Sequence, residues 1–518
     1  IMKQYQRREF LSDVTKGMII AGLGPCLADQ LGVTSAFADE GPGTLNFGKL
    51  HPLVGLIQNT SPDKLQPILV KKLKAGETDP RQLIAAVSLA NAETFGGEDY
   101  VGFHTEMALV PALRMSERLP DAEKALPVLK VIYRNAGRIQ EIGGASKKTL
   151  HPIVAKADKT KDPHGGESLR AISREGDMDK AENLFAGMTK SSLQDAYNHL
   201  QWIVQDDMNV HRFVLAHRVW ELVDIVGPAH AHTILRQSVR FCVKNEQNII
   251  TNEKRHPSPI RTLVPKLLDQ HNLIGRALGT KEPEDTWVEE LSTLIYTAGK
   301  ERATDAVAAA IAEGFSPESI GEAISLAANQ LALRQGNGRT HGDSRGVHGS
   351  DAMNAWRNMN RVTNPRNTVV GLLVGAYHTA EYSADPKVNG EPYPHEAHRK
   401  MVKATGPDTL LKEAEGAIRE NNQSLAAAAI HRYGELGHAP KPVFDLMLKY
   451  AISEDGRLHA EKYLQTVTEE FATTRGAFRW RQLIALARIT ASAYGLDRKD
   501  QPGYRAPGYE EARRLLGV

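Results

Sequence analysis

One pattern recurs four times along this chain of 518 residues: an acidic residue lies five positions before a histidine. After each histidine, the positions four and eight further on are mostly apolar, and such positions share a helix face with it. In three copies a glycine lies between acid and histidine, which is typical of a break between two helices. The pairs are Asp99 and His104, Asp206 and His211, Asp343 and His348, and Glu454 and His459. The pattern predicts four helices that each begin near an inward-facing histidine.

The segments that precede these pairs also resemble one another. TDPRQLIAAVSLAN (78–91) aligns with FSPESIGEAISLAA (315–328), each with a proline at the favoured first helical position. GELGHAPKPVFDLMLKYA (434–451) is a third copy and GMTKSSLQDAYNHLQWIV (187–204) a looser fourth. Alternating strand patterns are scarce, whereas helical patterns rich in Ala and Leu dominate. We therefore predict an all-α fold of four divergent multi-helix repeats, forming a toroid or a curved solenoid.

The chain is too long for one simple core, so its organisation follows the repeats. Irregular insertions separate the copies, and a tail rich in Pro, Gly and Tyr follows the last one. The predicted divisions are a signal segment at 1–38, repeats at 39–150, 179–250, 285–382 and 405–495, and a C-terminal arm at 496–518.

The beginning of the chain has the composition of an export signal. Arg7 and Arg8 are followed by Phe and Leu, then by a modest apolar run and an A-F-A cleavage site at 36–38. This arrangement resembles a bacterial twin-arginine signal. The resemblance implies passage through the twin-arginine translocase to the periplasm or the exterior, a route that moves folded proteins, many of them already loaded with a cofactor. The apolar run is too short to span a bilayer, so we expect no stable membrane insertion after cleavage.

Composition excludes several kinds of function. Two cysteines, Cys26 and Cys242, are too few for a four-cysteine iron–sulfur cluster or a thiolate zinc ribbon, and neither belongs to a C-x-x-C-H haem attachment motif. The net charge is only +2, and no basic cluster is interleaved with aromatic residues, so we expect no nucleic-acid partner. With 19 histidines available, any bound metal would be held by nitrogen and oxygen ligands.

Four inward histidines suggest a shared metal site. A buried imidazole needs a polar partner, since leaving it unpaired costs about 1–3 kcal/mol. The upstream acids Asp99, Asp206, Asp343 and Glu454 would each take one ring N–H and leave the other nitrogen for a metal. A neutral histidine cluster suits iron, copper or zinc. Two alternatives stay open: each acid–histidine pair only staples the turn between helices, or some histidines bind metal while the others pack.

Two further histidines belong to the candidate pool. His378 ends the apolar run TVVGLLVGAYH, and His341 lies in the Gly-rich loop GNGRTHGDSRG. A polar loop of this composition beside a histidine is typical of a lid or a substrate-binding loop. We keep both as reserve ligands behind His104, His211, His348 and His459.

The recurring histidine at the start of an apolar helix, in a long all-helical chain, resembles the proteins grouped with fungal questin oxidase. That resemblance implies insertion of oxygen into an aromatic ring. This chain lacks the H-P-x-x-H pattern of that group and carries an export signal, so no residue role is carried over. We predict an exported metal-binding oxidoreductase with a small-molecule substrate. The alternatives are a non-enzymatic periplasmic helical-repeat binding or scaffold protein and a noncovalent haem protein.

Overall fold

The structure, a computed structural model, describes residues 43–153, 166–338, 344–495 and 507–518. Across these ranges the chain forms 23 α-helices and no strand, which confirms the predicted all-α class. The predicted signal segment at 1–38, together with His341 and Asp343, lies outside the described residues.

The helices follow one another through short connections. In chain order they are α1 (His51–Asn59), α2 (Pro62–Lys74), α3 (Pro80–Phe95), α4 (Tyr100–Ser116), α5 (Leu126–Glu141), α6 (Gly166–Glu175), α7 (Met178–Ser191), α8 (Leu193–Val204), α9 (Val210–Val226), α10 (Ala231–Thr251), α11 (Ile260–Gln270), α12 (Asp285–Thr297), α13 (Lys300–Ala312), α14 (Pro317–Arg334), α15 (Arg345–Asn360), α16 (Pro365–Ser383), α17 (Glu396–Met401), α18 (Pro407–Arg419), α19 (Gln423–Glu435), α20 (Lys441–Ile452), α21 (Arg457–Thr473), α22 (Trp480–Ala493) and α23 (Pro507–Leu516). Among these described helices, none has both the length and the apolar character needed to cross a bilayer.

Local start and stop signals place α3 and α14 where the aligned segments predict them. Asp79 caps α3 by accepting a hydrogen bond from the backbone N–H of Gln82 at 2.8 Å, and Pro80 occupies the first helical position. Gly96 ends α3 in the left-handed conformation, at φ 57°, which costs glycine little. Ser316 caps α14 in the same way, so both helix starts are confirmed.

Four helices, α4, α9, α15 and α21, form a central bundle. Each packs against the next, and α21 packs against α4, which closes the circuit. Contacts between α15 and α21 advance together along both helices, from Asp351 with Thr466 to Arg357 with Glu470, so the two run parallel. The parallel course brings the starts of α15 and α21 to one end of the bundle, hereafter the starting end.

The apolar core runs through the whole described chain. One continuous cluster of buried side chains extends from Leu45 to Ala512 and includes residues of every predicted repeat range. The last helix, α23, packs on α2 and α5. Gln66 donates to the carbonyl of Gly508 at 2.6 Å, and Lys74 donates to that of Leu515 at 2.9 Å. The described part of the predicted arm therefore packs against helices of the first predicted repeat range.

Candidate metal centre

The structure brings His104, His211, His348 and His459 together at the starting end of the central bundle. Each lies among the first five residues of its helix. Their rings follow the order of the helices, with centroid separations of 4.7 Å for 104–211, 5.8 Å for 211–348, 5.5 Å for 348–459 and 5.6 Å for 459–104. We call this group the histidine ring. Residues spread over more than 350 positions thus become neighbours because their four helices start at one end.

The backbone of its own helix orients His104. Its Nδ1 lies 2.7 Å from the carbonyl oxygen of Tyr100, and a carbonyl only accepts hydrogen bonds, so Nδ1 carries the proton. The Nε2 atom of His104 then has a free lone pair. The Nε2 of His211 lies 3.2 Å away and must be the donor in that contact. The lone pair on Nε2 of His104 is therefore directed at the ring of His211.

Asp99 does not take the orienting position predicted for it. Its carboxylate accepts a hydrogen bond from the backbone N–H of Gly102 at 2.8 Å and so caps α4. The same carboxylate pairs with the guanidinium of Arg138, at 2.6 Å. This pairing lowers the pKa of Asp99 although burial opposes it. The acid thus fixes the start of the helix, whereas the Tyr100 carbonyl fixes the imidazole of His104.

The other described acids of the pattern also face arginines. Asp206 accepts from Arg174 Nε at 2.7 Å and pairs with Arg261 at 3.5 Å. Glu454 pairs with Arg134. At three described positions, the acid that lies five residues before the histidine therefore pairs with an arginine far away in sequence. This ion pair fixes the chain just before a central helix.

The histidine ring lies near the surface. His104 is 5% exposed, while the other three rings are partly exposed. Tyr100 is 63% exposed, and its ring centroid lies 4.3 Å from that of His104. Phe103 packs beside both His104 and His211, with centroid separations of 4.9 and 5.2 Å. The site is therefore largely buried, and aromatic side chains border it on the α4 side.

Burial keeps the imidazoles of His104 and His211 neutral. It lowers the pKa of His104 well below its usual range, and the nearby Lys462 and His211 act in the same direction. Burial, with His348 and Lys462, lowers the pKa of His211 to about 3. At neutral pH both rings are therefore uncharged, which is the state that binds metals.

The next level of the bundle lies one helical turn deeper. Three positions after the histidines stand Met107, Val214, Asp351 and Lys462. Asp351 accepts a hydrogen bond from Thr466 at 2.8 Å. Lys462 is 3% exposed and makes no hydrogen bond or ion pair with any residue that the structure describes. Burial lowers the pKa of Lys462 to about 8, against the attraction of Asp351.

Sequence reasoning missed Tyr100 and Lys462. His104 contacts the backbone oxygen of Tyr100, and every residue has such an oxygen, so no side-chain pattern could predict this contact. Lys462 carried a signal, because a residue three positions after an inward-facing histidine shares its helix face. A lysine on that face was a visible conflict with burial.

His378, a reserve ligand, lies outside the histidine ring. It is fully buried on α16, where its ring contacts Tyr382 at 4.1 Å and meets Phe213 edge-on at 5.5 Å between centroids. Neither ring nitrogen has a hydrogen-bond partner in the part of the chain that the structure describes. Burial lowers the pKa of His378 to about 3, and electrostatic repulsion from His348 and Arg345 acts in the same direction.

The nitrogen donors of the histidine ring suit a transition metal, but most of its imidazole rings lie slightly too far apart for one ion. Metal–nitrogen bonds of about 2.0–2.1 Å place adjacent ring centroids roughly 4.5 Å apart in a square-planar site and roughly 5.2 Å apart in a tetrahedral one. Only the 104–211 separation falls within that range, and the other three are slightly wider. Within the described ranges, no set of three or more His, Cys, Asp or Glu residues is ready to hold an ion as it stands. Binding one ion through all four rings requires a small contraction.

No protein-family model, curated protein or solved structure matches this chain. The resemblance to questin oxidase therefore stays an expectation from the sequence.

Proposed function

We propose that this protein binds a transition-metal ion through His104, His211, His348 and His459 and serves as a metal-dependent oxidoreductase. The observation that carries the proposal is the cyclic convergence of four histidines from four separate helices. A buried site does not need four imidazoles for packing, since apolar side chains fill such a level at no cost in unpaired polar atoms.

The protonation state of the site supports ligation. His104 holds its proton on Nδ1 and so offers Nε2, the more exposed nitrogen of most metal-binding imidazoles. His211 has to move its proton from Nε2 before it ligates, because that atom now donates to His104. Both rings can ligate a metal in this way because both are neutral at pH 7.

The surrounding charges indicate what else such a site would bind. The starts of the four central helices each contribute a partial positive charge, and Lys462 adds a full one from below. Asp99, Asp206 and Glu454 are neutralised by arginines. A bound cation would therefore attract an anionic or strongly polarised small molecule to its remaining position. Iron or copper would supply redox chemistry in that environment.

Metal analysis tests the proposal directly. The chain is purified under supply of iron, copper and zinc in turn, and bound metal is measured by elemental analysis, together with each of the four His→Ala variants. We expect close to one ion per chain and a loss of affinity of about 10–100-fold in each variant. His256→Ala, at an exposed histidine outside the ring, is the matched control and should bind as the parent does.

The possible outcomes separate the alternatives. Less than about 0.2 ion per chain under every supply would contradict the metal site and leave a binding or scaffold protein. Loss in only two or three variants would indicate a smaller ligand set. A haem absorption band would instead favour the noncovalent haem protein. Binding of zinc alone, with no change of oxidation state on reduction, would contradict the oxidoreductase part.

A further inference from the structure

A groove of about 600 Å³ lies between the third and fourth predicted repeats. Helices α12 and α14 line one side, α19 and α22 line the other, and the segment 392–394 contributes to its wall. Its volume falls within the range of small-molecule sites, which is about 300–1,000 Å³. None of the four ring histidines lines it, so it is a second, separate site.

Aromatic side chains form much of the wall, and their neighbours fix them in place. Trp480 packs flat on α19 at Gly434, where a Cβ atom would come within 2.4 Å of the indole. Tyr393 donates its hydroxyl proton to Asn337 at 2.9 Å, and the guanidinium of Arg488 lies 4.0 Å from its ring centroid. Tyr296 and Phe478 also line the groove. A flat apolar ligand would meet a wall that needs little rearrangement.

The charges in the groove do not cancel. Glu289 is already paired with Arg481 at 2.8 Å, and Glu435 is paired with Arg432 at 2.8 Å. Both acids of the groove therefore have cationic partners.

Two arginines of the groove lack such partners. Among the residues that the structure describes, Arg334 donates only to neutral acceptors, the side chain of Gln330 at 3.0 Å and the carbonyl of Gly390 at 3.2 Å. Arg399 makes no hydrogen bond or ion pair with the residues that the structure describes. Glu435 lies close enough to Arg399 for their charges to interact, but it makes no direct ion pair with it. The groove thus presents two guanidinium groups without a directly bound acid beside an aromatic wall.

We propose that this groove binds a planar aromatic carboxylate, with the ring against Trp480 and Tyr393 and the acid group at Arg334 and Arg399. Guanidinium groups recognise carboxylates through paired N–H donors, and their faces also stack on aromatic rings. An uncharged aromatic ligand would make only the apolar contacts of this site. The inference does not depend on metal binding by the histidine ring.

Calorimetry with three matched probes tests the proposed ligand class. The full chain is titrated with 2-naphthoate, with the neutral 2-naphthalenemethanol and with the cationic 2-naphthylmethylammonium. We expect one site for naphthoate, binding of the alcohol at least about tenfold weaker, and no detectable binding of the cation. Equal affinity for acid and alcohol would overturn the carboxylate assignment, and absence of any naphthoate heat would overturn the site.

Substitutions test its location. Arg334→Met and Arg399→Met should each weaken naphthoate about tenfold and leave the alcohol unchanged, whereas Arg276→Met, at an exposed arginine outside the groove, should change neither. Trp480→Leu should weaken both ligands, and its melting curve shows whether the variant is folded. Arg334→Met and Arg399→Met leave folding testable in the same way, because both side chains lie at the groove surface. Unchanged naphthoate binding in the double arginine variant would overturn the placement.

Discussion

The two adjacent levels of the central bundle differ in an instructive way. At the starting end, four different helices present the same side chain, histidine, to a common centre. One turn deeper, the corresponding positions carry Met107, Val214, Asp351 and Lys462, which share neither size nor charge. The packing of these helices therefore tolerates four unlike residues at one level. Since packing does not require uniformity, the four identical histidines call for a chemical explanation.

The levels also differ in solvent access. The histidine ring is partly exposed, whereas Asp351 and Lys462 are almost completely buried. Solvent thus reaches the histidine level more readily than the level beneath it. We expect changes in the deeper region to act mainly on stability and changes in the ring to act mainly on binding.

The largest expected effect comes from Lys130, which anchors the start of α21 from α5. Its ammonium pairs with Glu461 at 2.7 Å, both side chains being fully buried, and donates to the carbonyl of Ala451 at 3.0 Å. Lys130→Met leaves a buried carboxylate unpaired and should lower the free energy of unfolding by about 3–5 kcal/mol. Denaturant titration measures the loss. Combining it with Glu461→Gln should recover part of that loss, and a loss below about 1 kcal/mol in the single variant would contradict the argument.

Acid should destabilise the protein through its buried histidines, both those of the ring and those outside it. Burial lowers the pKa of His217, His232 and His378 to about 3, against about 6.5 in an unfolded chain. The unfolded state binds more protons between those values, so stability is complete above pH 6.5 and falls as pH drops toward 3. Each group should contribute about 1 kcal/mol per pH unit of that fall. Denaturation midpoints at pH 7 and 5.5 measure the sum.

His378→Phe separates one contribution from the rest. The substitution removes two unpaired ring nitrogens, so we expect unchanged or slightly higher stability at pH 7 and a shallower loss in acid. The metal content of this variant should equal that of the parent. A fall in metal content would place His378 among the ligands and contradict its separation from the ring.

Removing the buried cation below the ring should strengthen metal binding. Lys462 lies one turn under His459, and its positive charge opposes any cation at the ring. Lys462→Met should raise the affinity for a divalent metal roughly tenfold, as expected for losing one nearby charge in a partly screened site. Met107→Leu, at the same level of α4, is the matched control. Unchanged affinity in Lys462→Met would show that the two levels are electrostatically independent.

The smallest effect is expected at Asp99, where the predicted and observed roles diverge. As a helix cap, its replacement by Ala should cost about 1 kcal/mol of stability, and Asp99→Ser should cost less because serine also caps. Metal affinity should stay within about threefold, since the Tyr100 carbonyl orients His104. A loss of 10–100-fold in affinity with both variants would restore Asp99 as a partner of the metal site.

Local signals made much of this fold predictable. Asp79 and Pro80, or Ser316 and Pro317, specify helix starts through contacts within four residues, so their sequence alone indicates α3 and α14. The inward direction of the histidines followed from helical periodicity in the same way. The sequence did not predict the partners of the acids in this way, because the arginines that pair with Asp99, Asp206 and Glu454 lie far away in sequence.

The sequence by itself determined that this chain is helical and that four histidines stand near helix starts, because capping and periodicity act over a single turn. Only the tertiary structure decided that those starts share one end of a closed bundle. It also decided that Asp99 pairs with Arg138, 39 positions away, and that Lys462 lies beneath the ring. Such arrangements depend on contacts between distant segments, whose energies no short stretch of sequence contains.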